Sequence, residues 1–376
     1  MDSTVRELQL STYRVPTPAP EADGTATWAA TELLVVEPVA GGVRGLGWSC
    51  CAAPAALEVV RALLADVVIG SDALNVPGTF AAMNRAVRNA GRPGLVSMAI
   101  SAVDLALWDL KAKLLDLPLD RLLGRCRDSV PVYGSGGFVS LTDDQLRTQL
   151  TTWTAQQGIG AVKIKVGQDW GGDPARDLAR TALTRELVGD DVQVMVDANG
   201  GYTPGQARRI GSRYDELGVV WFEEPVSSDD LPGLALLRRE LRCDIAAGEY
   251  ADGPEYAQRM CAAGAVDCLQ IDVTRCGGIT GWLSSAAIAN SQHLQVSGHC
   301  VPALHIAPAL AAANVRHIEL FADHERLEPM LFDGVPEVVD GALHPVDRPG
   351  NGMALAERAQ PWQTGTITIT IAGATG

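Results

Sequence analysis

The chain has 376 residues, with 30 Lys and Arg against 45 Asp and Glu, a formal charge of −15. A hydrophobic fraction of 47% and a charged fraction of 20% are those of a globular chain with a large core, which excludes disorder, a collagen-like repeat and a coiled coil. The acidic balance leaves no basic stripe to neutralise phosphates, so nucleic acid is not an expected partner, whereas a cation held by carboxylates is.

The eight cysteines form no framework. Cys50 and Cys51 are adjacent, the rest are scattered, and no C-x-x-C pair occurs. Scattered thiols fit a reducing compartment. Met1–Pro20 has no apolar stretch after a basic start, and no apolar run approaches the roughly 18 residues of a membrane span. A cytoplasmic protein with no membrane partner is expected.

In chain order, Val5–Val15 and Thr25–Val39 read as strands, separated by a Pro/Gly-rich loop at Pro16–Gly24. Ala55–Val68 and Thr79–Asn89 have the spacing of amphipathic helices. Ser97–Leu115 is apolar nearly all round, so a buried helix is expected, ended by Leu117-Pro118. From Val130 the rhythm becomes strand, turn, helix. Short β-rich runs fall at Val130–Tyr133, Ala161–Val166, Gln193–Val196, Val219–Phe222, Asp244–Ala247, Cys268–Ile271, Leu294–Ser297 and Arg316–Leu320. Eight strands with seven intervening helices predict an α/β fold, a modified TIM barrel of (β/α)7β form spanning residues 129–340. Residues 1–128 with 341–376 form an α+β capping domain, since Thr366–Ile371 alternates like a strand with no barrel position left for it.

Chemistry in such a barrel sits at the C-terminal strand ends. Lys163 and Lys165 lie two apart on the second strand, so both face the interior. Two neighbouring ammoniums disfavour each other's charge, which predicts a lowered pKa for one of them and hence a general base. Asp197, Glu223 and Glu249 end the third, fourth and fifth strands, spaced 223 − 197 = 26 and 249 − 223 = 26 residues apart. Three converging carboxylates would repel unless a hard divalent cation joined them, and Mg²⁺ is the typical ion, with Mn²⁺ as the alternative. A charged helix start explains one such residue, not three at equal phase.

Asp272 ends the sixth strand and His299 the seventh. A carboxylate on one imidazole nitrogen fixes the tautomer of the other, which makes His299 a second acid/base. Glu319 lies on the last strand, where a salt-bridged strand end competes with a functional role; Ser135 and Asn199 are weaker substrate-binding candidates. No H-x-H or H-E-x-x-H pair supports a zinc hydrolase, and no Walker motif or G-x-G-x-x-G turn occurs.

Lys-x-Lys on strand two, Asp/Glu/Glu on strands three to five, Asp on six, His on seven and Glu on eight resemble the enolase superfamily, mandelate racemase subgroup. The helix Ser97-Met-Ala-Ile-Ser-Ala-Val-Asp-Leu-Ala-Leu-Trp-Asp109 resembles that family's last N-terminal helix. The muconate cycloisomerase subgroup instead has a lysine where this chain has Asp272. Gly42–Cys51 departs from the family pattern, lacking an acidic residue after its Gly-rich turn. The resemblance implies one Mg²⁺ per site and abstraction of the α-proton of a carboxylate to an enediolate. Lys165 and His299 would flank the carbon, and a protonated Glu319 would donate a hydrogen bond to the developing charge. Dehydration of an acid sugar to a 2-keto-3-deoxy acid is the expected outcome. Racemisation or epimerisation of a 2-hydroxy acid is the alternative, and a silent metal-binding barrel is the reading from another class. A homo-oligomer is expected, with the Pro16–Gly24 loop closing over the barrel mouth.

Overall fold

The computed structural model describes residues 2–371. Its N-terminal sheet begins with two long antiparallel strands, Glu7–Ala22 and Thr27–Ala40. The loop expected at Pro16–Gly24 is instead strand as far as Ala22. Pro16, Pro18 and Pro20 alternate, so the missing N–H groups fall together, and proline's fixed φ suits extended backbone. The register slips between Pro16 and Glu21, and the turn is short. Asp23 closes it by accepting the backbone N–H groups of Thr25 at 2.6 Å and Ala26 at 2.7 Å.

On its other edge Glu7–Ala22 pairs antiparallel with the late strand Gln363–Thr370. The alternating Thr/Ile run thus completes the cap, with Ser11–Thr366 and Thr12–Thr364 hydroxyl contacts at 3.1 and 2.9 Å. Against this sheet lies the helix Leu95–Leu114, buried over most of its circumference. Gly47, in the short strand Gly47–Cys50, lets the two backbones meet. A Cβ there would come within 2.4 Å of Ala106 N, so the Gly45-Leu-Gly-Trp-Ser49 segment is a packing device. It delivers Cys50 to the barrel mouth, while Ser49 Oγ donates to Thr274 O at 2.9 Å.

Eight parallel strands close the barrel: Val130–Gly136, Ala161–Lys165, Gln193–Asp197, Val219–Glu223, Asp244–Ala247, Cys268–Ile271, Gln295–Gly298 and Val315–Phe321, the last pairing with the first. The helices between them start on local signals. Asp173-Pro174 and Thr203-Pro204 each place a capping side chain before a proline that needs no donor, and Thr142 forms a reciprocal cap with Gln145. Outward-facing Val, Ile and Leu residues of the strands pack on these helices in one continuous core. Inside, Tyr133, Ala161, Met195, Trp221, Ala246 and Cys268 form an apolar floor beneath the charged residues. A further helix, Ala322–Leu331, follows the eighth strand and carries Asp323 and His324 into the mouth. The chain then lays Ala342–Leu343 antiparallel on the first barrel strand before reaching the cap. Among the described residues no helix is long and apolar enough to cross a membrane.

Cap and barrel are joined by buried polar contacts. Asp104 accepts from Thr280 through Oγ1 at 2.6 Å and N at 3.0 Å, and Ser101 Oγ accepts Gly277 N–H at 2.9 Å.

Candidate active site

The second strand fixes the positions of both lysines. Its register sets Lys163 beside Met195 and Lys165 beside Asp197, and Asp197 in turn beside Glu223. Lys163, wholly buried, does not stand alone with Lys165. Its Nζ is 2.7 Å from both oxygens of Glu223 and 2.8 Å from Glu319 Oε1. A buried ammonium without partners would cost several kcal/mol. Lys165 Nζ lies 2.5 Å from Asp197 Oδ2. The pKa lowering expected for Lys165 is therefore reversed in this arrangement. Burial works against the ammonium, but Asp197 overrides it and holds Lys165 above its ordinary value, with Lys163 opposing more weakly.

Asp197, Glu223 and Glu249 converge as the spacing predicted, with one oxygen of each within 4.8 Å of the others. Asp272 and His299 also meet: His299 Nδ1 is 2.9 Å from Asp272 Oδ2, leaving Nε2 directed at Glu249 Oε2, 3.3 Å away. Burial lowers the imidazole's proton affinity, but the Glu249 and Glu319 charges and the Asp272 bond raise it above its ordinary value.

Glu319 lies two residues inside the end of its strand, fully buried. The protonated donor expected there is corrected by its neighbours. Burial favours the neutral acid, but Lys163 and then His299 hold the carboxyl well below the usual range. As a carboxylate it accepts the Cys300 N–H at 2.8 Å. Asn199 reaches the mouth cavity, held at φ 46° with its N–H on Asp197 Oδ1 at 2.9 Å. Ser135 does not; it is paired in register with Lys163, its hydroxyl buried without a hydrogen-bond partner.

The mouth cavity, about 360 Å³, is walled by Lys165 and Asn199 on one side, His299 and Asp272 on another, and Trp28 and Thr31 of the cap hairpin above. The hairpin is clasped to the barrel. Thr31 Oγ1 donates to Asp323, and Trp28 packs edge-on against Phe138 at 5.5 Å.

Sequence reasoning missed three groups. Arg275 sits between the two acidic partners, 3.1 Å from Glu249 Oε1 and 3.4 Å from Asp272 Oδ2. Its only sequence signal is a position three residues past Asp272. His324 and Cys50 meet at 3.4 Å across the domain junction, a contact between residues 274 positions apart that no local pattern announces. Glu224, next to Glu223, is buried too; burial, then Glu249 and Asp197, push its pKa well up.

The donor set fits a hard divalent cation. The oxygens come from three buried carboxylates, Glu249 Oε2 and the neighbouring Glu224 Oε1 have no hydrogen-bond partner, and the acids outnumber the lysines and arginine that face them.

A closed, capped (β/α) barrel with a carboxylate cage and flanking lysine and histidine inside its mouth defines the class of protein. Residues 7–124 match the family model for the mandelate racemase / muconate lactonizing enzyme N-terminal domain, and residues 145–359 that for the enolase C-terminal domain-like family. The chain belongs to this family, the mandelate racemase subgroup of the enolase superfamily, and is an enzyme of the lyase or isomerase kind.

Among its relatives, L-talarate/galactarate dehydratase of Salmonella typhimurium is 35% identical over 301 residues, 80% of this chain and 73% of that one. The structure of that enzyme liganded with Mg and L-lyxarohydroxamate superposes with a TM-score of 0.91 at 30% identity, covering 98% of this chain and 94% of the other. A mandelate racemase/muconate lactonizing enzyme-like protein from Rubrobacter xylanophilus is 45% identical, with a TM-score of 0.92 over 96% of this chain and 100% of its own. A racemase from Streptomyces coelicolor with bound magnesium has a TM-score of 0.90 at 31% identity, over 96% and 100%.

Proposed function

We propose that the enzyme abstracts the α-proton of an acid-sugar carboxylate and then expels the β-hydroxyl, yielding a 2-keto-3-deoxy acid. The carrying observation is the placement of the two bases. Lys165 touches Asp197 and His299 touches Glu249, the outer members of the carboxylate cage, so the two flank whatever the cage holds. Asp197, Glu223 and Glu249 would hold one Mg²⁺, or Mn²⁺, which supplies Lewis-acid neutralisation of the substrate carboxylate as charge grows on it.

The remaining work is done by the chain itself. Lys163 bridges Glu223 and Glu319 and keeps both oriented. Lys165 takes the α-proton as the free amine, the form it would reach once Asp197's charge is turned to the cation and Lys163 is left as its main charged neighbour. His299, its Nδ1 proton engaged by Asp272, donates from Nε2 to the departing hydroxyl. Asn199 positions the substrate, and the cap hairpin excludes water over the mouth. Dehydratases of talarate/galactarate, arabinonate and D-gluconate among the relatives support this substrate class.

The same two bases favour a second reading, racemisation or epimerisation, since protons could be removed on one face and returned on the other. An acid-sugar panel assayed with Mg²⁺ for 2-keto acid in ²H₂O separates them. Dehydration predicts keto-acid formation. Deuterium incorporation with stereochemical inversion and no keto acid would replace it with the isomerase reading, and no change in any compound would remove both.

A further inference from the structure

The loop after the seventh strand and the adjoining eighth strand together hold a constellation that the proposed reaction does not use as a unit. His299, Cys300 and Glu319 are all buried, and each offers a ligand atom within 4.8 Å of the other two. His299 Nε2 is 3.4 Å from Cys300 Sγ and 3.8 Å from Glu319 Oε2. Bonds of about 2.0–2.3 Å to nitrogen, oxygen and sulfur at a tetrahedral angle put donor atoms roughly 3.3–3.6 Å apart. The two edges from the imidazole already stand near those lengths, and the third lies within 4.8 Å.

Its chemistry differs from that of the cage. Three carboxylate oxygens suit a hard ion, whereas imidazole, thiolate and one carboxylate suit a softer one. The supporting contacts are in place. Asp272 holds Nδ1 and so turns the Nε2 lone pair outward, as metal-binding imidazoles require. Cys300 N–H fixes Glu319 Oε2, while Lys163 holds the other oxygen. Cys300 and Val301 sit at φ 52° and 35°, strained positions for residues with a side chain, and this turn keeps the thiol beside the imidazole. His299 and Cys300 both line the mouth cavity, so an ion here has an entry path and a fourth position open to water.

We propose that His299, Cys300 and Glu319 form an inhibitory site for a soft divalent cation, Zn²⁺ or Cd²⁺, separate from the carboxylate cage. Binding forms a metal–sulfur bond, the thiol proton and any proton on Nε2 leave to water, and the metal takes the Nε2 lone pair so freed. The inhibition rests on the proton-transfer role proposed for His299; the binding does not.

The test titrates Cd²⁺ into Mg²⁺-loaded protein and reads the thiolate-to-metal charge-transfer absorption. The wild type should give a band saturating at one equivalent. Cys300→Ser should lose it, and His299→Asn should weaken binding at least ten-fold. Of the two other cavity thiols, Cys50 and Cys51, Cys50 faces His324, and Cys50→Ser should keep the band. In parallel, Zn²⁺ at saturating Mg²⁺ should inhibit turnover, with Cys300→Ser at least ten-fold less sensitive relative to its own uninhibited rate. No band in the wild type, a band surviving in Cys300→Ser, or one lost in Cys50→Ser overturns the site. A Cys300-dependent band without inhibition overturns the inhibitory role and the proton transfer assigned to His299, while leaving the cage reading untouched.

Discussion

Asp272→Asn tests whether the carboxylate sets the chemistry of His299 or merely packs against it. Oδ1 of Asp272 accepts two hydrogen bonds from Thr274, through N and Oγ1, both at 2.7 Å. The amide oxygen of an asparagine must keep that side, because its NH₂ cannot accept a backbone N–H. The NH₂ then faces His299 Nδ1, where the carboxylate now accepts at 2.9 Å. Donor meets donor unless the imidazole switches tautomer, moving its proton to Nε2. In that form Nε2 has no lone pair for the cavity, and the neighbouring charge that stabilised an imidazolium is gone. The loss should approach that of removing the imidazole itself, about 10²–10⁴-fold in turnover. Fold stability should change little by comparison, since Arg275 keeps Glu249 as a partner. Nitrogen-edited NMR of the imidazole reads the tautomer without any substrate, and steady-state kinetics on a responsive acid sugar reads the rest. Because the pair acts as a unit, the double variant Asp272→Asn/His299→Asn should be no slower than the worse single one. Turnover within a few-fold of wild type, or a proton still on Nδ1, would refute the reasoning.

Three other outcomes are expected. Lys165→Ala should abolish both α-proton exchange with solvent deuterium and turnover, whereas His299→Asn should lower turnover by about two to four decades yet still exchange; the reversed pattern would place both acid and base duties on the histidine. Calorimetric titration should find one Mg²⁺ per chain, and Asp197→Asn should weaken it ten-fold or more; unchanged affinity would move the ion elsewhere. Burial at the cap–barrel joint pushes the Asp104 carboxyl up to about 7. A raised acid pKa stabilises the fold in the protonated form, so this contribution is full below about pH 4 and lost as pH rises towards 7. Asp104→Asn should therefore gain on the wild type by about 3 kcal/mol between pH 5 and pH 8 in denaturant unfolding, and parallel stability curves would contradict the assignment.

Periodicity alone carried the architecture: a strand-to-helix alternation repeated through residue 320, and carboxylates recurring once per repeat, allow few solutions, because a parallel strand buried on both faces can place a charge only at its end or among partners. The convergence of Asp197, Glu223 and Glu249, and the Asp272–His299 contact, were legible for that reason. What the sequence could not decide were states set by neighbours distant along the chain. Lys163 was expected to act on Lys165, but Glu223 and Glu319, 60 and 156 residues away, take up its charge, which also makes Glu319 a carboxylate and not a donor. The hairpin tip looked like a loop because its prolines signal irregularity, and only pairing across the sheet showed an extended strand reaching the barrel. Charge state and edge pairing depend on which groups closure of the barrel and docking of the cap bring within a few ångströms, and that information exists only in three dimensions.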